Sequence, residues 1–243
     1  RRSSDLGRID AKFSPTISAN DLRIKDIYFK DVLGRVVKYD GEQYLNVKEL
    51  MAQFGGDRQE NNDEEGNSNF RLKVDNMRLD NGRVVYWNQN KDHPEKLGMD
   101  YAHIDVDSIY GVFSNLEVRG DSVLGEVHTL RGKEKCGLTL DDASGSVLFC
   151  EKSLNIENLT LKTNESHVDL DLRFEYNNSS AYYEFVDSVY IIGNVRQSTL
   201  LLSDIKYFSW ILDKMPDKFD FTAYYEGFVR DFTVKDFKAY FGN

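Results

Sequence analysis

The sequence predicts a mainly β protein: a meander of mostly antiparallel strands, with two short helices. Three observations carry this. From Val168 to Tyr176, apolar Val168, Leu170, Leu172, Phe174 and Tyr176 alternate with Asp169, Asp171, Arg173 and Glu175, so a strand here has one oily and one charged face. Similar runs recur along the chain, separated by short polar turn clusters. Only two stretches keep helical periodicity, and 14 Tyr, 15 Phe and just 3 Pro suit long strands. Strands follow one another so directly that the pattern excludes βαβ units.

Taken in order, "IDAKFSPTI", "DLRIKDIYFKDV" and "RVVKY" read as strands, with "DGEQ" as a turn. In "YLNVKELMAQFGG", Leu45, Val47, Leu50, Met51 and Phe54 recur at helical spacing. Asn46 is a reasonable N-cap there, with Glu49 three residues on, and Gly55–Gly56 ends the run. Residues 1–56 thus form a first block of strands plus a short helix. Residues 57–69, "DRQENNDEEGNSN", are acidic and aperiodic, the composition of a flexible loop. Residues 70–243 continue the β pattern. In "FRLKVDNMRLDNGRVVYWN", Phe70, Leu72 and Val74 alternate and "DNGR" signals a hairpin turn. "KDHPEKLGM" is a loop, and the strands beyond it are divided by "RGD" and "RGKEK".

Leu154, Ile156, Leu159 and Leu161 share one face only if a bulge at Glu157–Asn158 resets the alternation. Joined through "NES" to the strand from Val168, they predict a hairpin with one wholly apolar side. A second helix is expected over 203–215, "SDIKYFSWILDKM", with Ser203 as N-cap and Pro216 beyond its end. The segment "FDFTAYYEGFVRDFTVKDFKAYFG" returns to alternation.

Net charge is −10, with pI near 5.0 and mean hydropathy −0.54. Such a surface repels phosphate, which argues against nucleic acid and against a tight embrace of anionic headgroups. No apolar run is long enough for a transmembrane helix. The opening Arg1–Arg2–Ser3–Ser4 and the strand-like close at Phe241–Gly242–Asn243 read as a piece of a longer polypeptide. Cys136 and Cys150 are too few for a disulfide framework. As opposite ends of one strand unit they would stand unpaired; a turn at "DDASG" would instead bring them together.

Catalytic chemistry is not evident. His93, His103, His128 and His167 fall in different elements without HExxH spacing, and read as structural or surface residues. Asp105 with Asp107, and Asp169 with Asp171, share faces that fit a solvated strand surface better than a metal site. "RGD" at 119–121 is a turn tripeptide. The sequons at Asn158 and Asn164 matter only in a glycosylating pathway. No phosphate loop, nucleophile elbow or dinucleotide fingerprint is present, so no enzyme activity, cofactor or metal is expected. What remains is the apolar face, which covers either a second sheet or something other than protein.

The run from "MDYAHIDVDSIYGVF" through "EKCGLTLDDASGSV" to "NLTLKTNESHVDLDLRFEY" resembles the TamB proteins of Bacteroidetes, within the AsmA-like group. "SDIKYF" followed by "GFVRDFTVKDF" extends the likeness, and "DLRIKDIYFKDVLGRVVKYDGEQYLNVKELMAQF" is similar to an AsmA-type strand–strand–helix block. The resemblance implies an elongated, curved, taco-like antiparallel sheet whose concave apolar face is a groove across the periplasm. It implies passive phospholipid transport between the two membranes, outer-membrane biogenesis and a role in the translocation and assembly module for protein secretion. It also implies a missing N-terminal inner-membrane anchor and an outer-membrane barrel partner of the TamA/BamA type, met through a missing C-terminal part. Phospholipid acyl chains would then lie on Phe70, Leu72, Val74, Leu138, Leu140, Leu154, Ile156, Leu159, Leu161, Val168, Leu170, Leu172 and Phe174. The alternatives are a β-sandwich or solenoid module binding glycans or proteins, recognisable by an exposed aromatic platform, and an assembly chaperone for barrel proteins working through sheet edges.

Overall fold

The structure is a computed structural model, and it describes residues 8–18, 21–42, 46, 71–93, 98–120, 122–163, 165–177, 185–205, 207 and 218–241. These residues form one large, open, curved sheet of thirteen strands. In chain order the strands are β1 (Arg8–Ser18), β2 (Asp21–Lys30), β3 (Leu33–Lys38), β4 (Arg71–Asn88), β5 (His103–Arg119), β6 (Ser122–Glu134) and β7 (Thr139–Leu140). They continue with β8 (Asp142–Cys150), β9 (Ser153–Lys162), β10 (His167–Glu175), β11 (Tyr190–Leu201), β12 (Lys218–Phe228) and β13 (Asp231–Phe241). One-turn helices α1 (Phe185–Ser188) and α2 (Leu202–Ile205) flank β11. The spatial order is β1-β2-β4-β5-β6-β8-β9-β10-β11-β12-β13, with β3 beside β4 and β7 beside β6.

The meander is antiparallel from β4 onward, but the N-terminal edge is not. β2 and β3 both run parallel to β4, Asp21 pairing with Arg71 and Leu33 with Arg83. This departs from the expected antiparallel meander by a parallel edge: residues 39–70 give the chain length enough to cross over before β4 begins. The structure also corrects the hairpin at "DNGR". β4 runs straight through that tetrapeptide, and Asn81 takes a left-handed φ of 54° instead of turning the chain back. Asp31, with φ of 53°, stands at the same level between β2 and β3, where Asn81 Nδ2 donates to Asp31 Oδ1 at 2.6 Å. The paired deviations carry β2–β3 past β4 as a single interrupted strand.

The "NES" hairpin forms as expected, with Leu161 opposite Val168, Leu159 opposite Leu170, Ile156 opposite Leu172 and Leu154 opposite Phe174. The bulge is where the alternation required it, with Asn158 at φ 52°. Its amide, freed from the ladder, donates to Asp171 Oδ1 at 2.7 Å. "RGD" does end β5, whereas β6 continues through Arg131–Glu134 and turns only at Lys135–Gly137. Cys136 sits in that turn and Cys150 ends β8, and both are free thiols. α2 begins at Leu202, so Ser203 lies inside its first turn instead of capping it. The rest of the 203–215 helix apart from Tyr207, the 45–54 helix apart from its expected cap Asn46, the loop 57–69 and Phe70 lie outside the described residues; Asn46 is bound to β3, its Oδ1 accepting the Val37 amide at 2.7 Å.

No second sheet covers this one among the described residues. Among the described residues only Ile24, Val74, Ile109, Ala143, Leu170, Tyr176, Val189, Val195 and Leu202 are buried apolar side chains, and of these Val189 alone is completely enclosed. The small cluster around Tyr176 and Val189, packed by Phe149, Leu154, Phe174 and Ile191, closes one end of β8–β11.

Candidate functional site: an uncovered apolar face

Strand pairing sorts the side chains into two faces. On the polar face, ion pairs bridge neighbouring strands: Arg23 with Asp75 at 2.9 Å, Arg71 with Glu117 at 2.9 Å and Arg83 with Asp105 at 2.6 Å. Asp169 there accepts from Thr160 Oγ1 at 2.7 Å, and Asp171 pairs with Arg196 at 2.5 Å. The shared-face aspartates therefore serve cross-strand bonding. The hydrogen bonds from Arg83 and from Thr160 hold the Asp105 and Asp169 carboxyls below the ordinary range, against the opposing pull of burial.

The other face is apolar across the whole sheet. Leu22, Leu72, Val118, Val123, Phe149, Leu154, Phe174, Ile191, Gly227 and Phe232 follow one another as directly paired residues from β2 to β13. Beside that row runs a second: Ile24, Val74, Leu116, Gly125, Val147, Ile156, Leu172, Gly193, Tyr225 and Val234. Its one unpaired step, Leu116 to Gly125, is closed by side-chain proximity, because a Cβ at Gly125 would lie 2.4 Å from Leu116 Cδ2. At ~4.8 Å per strand the eleven-strand path is roughly 50 Å long.

Leu72, Val74, Leu154, Ile156, Leu172 and Phe174 of the expected set thus fall in two adjacent rows. Leu159 with Leu170, and Leu161 with Val168, extend the same face. Leu140 joins it opposite Gly132, while Leu138 is half-buried in the turn before β7. Most of these side chains are half-exposed; only Val74 and Leu170, each 8% exposed, are buried. The sandwich alternative required them to be enclosed. A shallow cavity of about 590 Å³ spans β1, β2, β4, β5 and β6, and its lining is mixed, with Ala11, Ile27, Met77 and Phe113 beside Asp10, Lys12, Asp26, Arg78 and His128. The first four are also joined by direct strand pairing.

Polar atoms on this face are turned into the backbone. Ser198, 2% exposed, accepts from the Asp169 amide at 3.0 Å and donates to the Arg196 carbonyl at 2.9 Å. Glu134 marks the end of the face, accepting from the amides of Asp105 and Cys136. Burial would raise its pKa, but hydrogen bonds from Cys136 and the Asp105 amide outweigh that and hold the carboxyl below the ordinary value. Tyr225 lies flat over Gly193, where a Cβ would stand 2.1 Å from the ring, and burial pushes its phenol pKa up. At the edge strand β13, Phe232, Val234, Phe237 and Phe241 are all about half exposed or more, from 47% to 57%.

Sequence reasoning placed the four histidines apart, yet the structure joins two of them. His93 and His103 both meet Asp100, across a connection that spacing alone did not reveal. Only the short step from Asp100 to His103 is visible as a local signal. The described residues define an open, mixed β-sheet with an apolar face that no second sheet among them covers. No protein-family model, no characterised protein and no solved structure matches the chain.

Proposed function

We propose that the chain is a segment of a TamB/AsmA-like bridge protein that carries phospholipid acyl chains passively along its apolar face, between the inner and outer membranes of a periplasm. One observation carries the reading: the row from Leu22 to Phe232, apolar at every strand and covered by no second layer among the described residues. Leaving such a face in water costs ~25 cal/mol per Å², and an acyl chain laid across the strands would relieve it at ~0.8 kcal/mol per methylene. Among the described residues on this face, Ser198 and Glu134 are bonded to backbone, which supports binding through tails more than through headgroups. The acidic surface is compatible with a passive conduit that holds tails instead of gripping anionic heads. Anchorage in the inner membrane, a TamA/BamA-type barrel partner and outer-membrane biogenesis belong to this proposal through the family resemblance.

Lipid co-purification with native mass spectrometry tests it. The purified chain is expected to retain phospholipid. Leu161→Arg, on a half-exposed position, should keep the β circular-dichroism spectrum yet lower lipid recovery at least ~10-fold, because a charge at mid-hydrocarbon costs ~2.5–3.5 kcal/mol. A lipid-free wild type together with an unfolded Leu161→Arg protein would defeat the reading in favour of an enclosed core.

A further inference from the structure

Where β4 gives way to β5, on the polar face, His93, Asp100 and His103 converge. His93 Nδ1 lies 2.7 Å and His103 Nδ1 2.8 Å from the same oxygen, Asp100 Oδ2. The three ligand atoms are within 4.8 Å of one another. His103 is the informative member. Its side chain is 1% exposed, and its other ring nitrogen, Nε2, lies 3.0 Å from the Asn88 carbonyl. A carbonyl only accepts and an ionised carboxylate only accepts, so both nitrogens of a nearly enclosed imidazole face acceptors. A neutral ring satisfies one of them. The other is satisfied by a second proton or by a cation standing between Nδ1 and Asp100.

Several features fit the cation. Two imidazoles and one carboxylate are a ligand set that zinc and its first-row neighbours favour. An N–H donated from a ligating histidine to a backbone carbonyl is the usual support behind such a ligand, and the Asn88 carbonyl supplies it. The carboxylate is oriented as well, with Asp100 Oδ1 accepting the Ala102 amide at 3.0 Å. The Trp87 ring, 4.2 Å from the His103 ring and 5.5 Å from that of His93, walls one side. Bonds of ~2.0–2.1 Å impose donor separations of ~3.3 Å in a tetrahedron, so Asp100 Oδ2, now 2.7 and 2.8 Å from the two nitrogens, must draw back by about half an ångström while the imidazole nitrogens, within 4.8 Å of each other, settle at that same spacing. His93, at 46% side-chain exposure, is free to move.

We infer that His93, Asp100 and His103 form a divalent transition-metal site, of zinc type, that pins the connection from β4 to β5. Binding at Nδ1 leaves each imidazole its Nε2 proton, so a ring protonated at both nitrogens releases one proton to solvent.

Titration calorimetry of the intact chain with zinc sulfate near neutral pH tests this, alongside NMR of the imidazole N–H protons. One zinc per chain is expected, and the His103 Nδ1–H signal should vanish on binding. His93→Ala and Asp100→Asn should each weaken zinc by at least the ~10–100-fold that even outer partners of a metal ligand cost. His128→Ala, on a histidine remote from the cluster, should not. Should Asp100→Asn fail to fold, the half-exposed His93→Ala decides. Zinc uptake that is absent, or unchanged in His93→Ala, overturns the site and leaves a doubly protonated His103 as the explanation of the geometry.

Discussion

Gly227 sits where β12 meets β13 at φ 138°, and a Cβ there would lie 2.5 Å from the Asp231 carbonyl and 2.6 Å from Phe232 Cα. Neither backbone atom can move without opening the edge of the sheet. Gly227→Ala is therefore expected to destabilise by about 1–3 kcal/mol in urea titration. Gly34→Ala should change little, because its nearest neighbour is Val84 Cγ2 at an ordinary 3.6 Å. The cysteines make a second test at this scale. Cys136 has its thiol pKa pushed up by burial and then by the Glu134 carboxylate beside it. Native protein should thus leave Cys136 unreacted with a disulfide reagent near neutral pH, and denatured protein should show two thiols. A count of zero under non-reducing conditions would contradict the free cysteines.

Among the elements, one device recurs. Val106 to Ile109, Phe113 to Leu116, Ile156 to Leu159 and Val234 to Phe237 are apolar pairs three apart that share a face despite the two-residue strand period. In each, the residue before the second member is left-handed: Ser108 at φ 53°, Asn115 at 52°, Asn158 at 52° and Asp236 at 52°. Asn and Asp tolerate that conformation best among residues with a Cβ, so each bulge rephases the alternation and bends its strand. This explains what was legible in the sequence. Clean alternation exposed the β9–β10 hairpin and its bulge at Glu157–Asn158. Yet the same signature at Asn81, within "DNGR", reads as a hairpin turn, because short-range chemistry does not tell a bulge inside a long strand from a reversal. The parallel edge was invisible for a different reason: pairing across fifty residues, Asp21 with Arg71, leaves no local trace. The histidine cluster was hidden likewise, by a connection that alternation does not describe.

The polar ladders between strands carry a pH signature. Hydrogen bonding to Arg83 and to Arg71 depresses the Asp105 and Glu117 carboxyls, each against burial. Depressed folded-state values mean that their contribution is complete above the ordinary carboxylate range and is lost as pH falls through the folded values. The urea midpoint should be flat from about pH 6 to 8 and drop below about pH 4. The fall should be gradual, because partly exposed pairs contribute only ~0–1 kcal/mol each. A midpoint that rises on acidification would show that these pairs do not stabilise the sheet.

At the scale of the whole molecule, each of the ten strands on the path from β2 to β13 contributes one residue to each apolar row, and the rows run across the strands. Span is therefore counted in strands and is independent of the length of any of them. Phe149 pairs with Leu154, Leu154 with Phe174 and Phe174 with Ile191. Removing β9 and β10 together would set Phe149 directly against Ile191 with strand directions still opposed, and Val147 against Gly193. Both rows would close over the gap, shorter by ~10 Å. A hairpin is thus a unit of span, although β10 also bonds β11 through Asp171–Arg196 and through the Asp169 amide to Ser198, so its loss would leave those partners to pair anew. The reach of such a sheet is set by how many strands it counts, with no new apolar surface to invent when a hairpin is added.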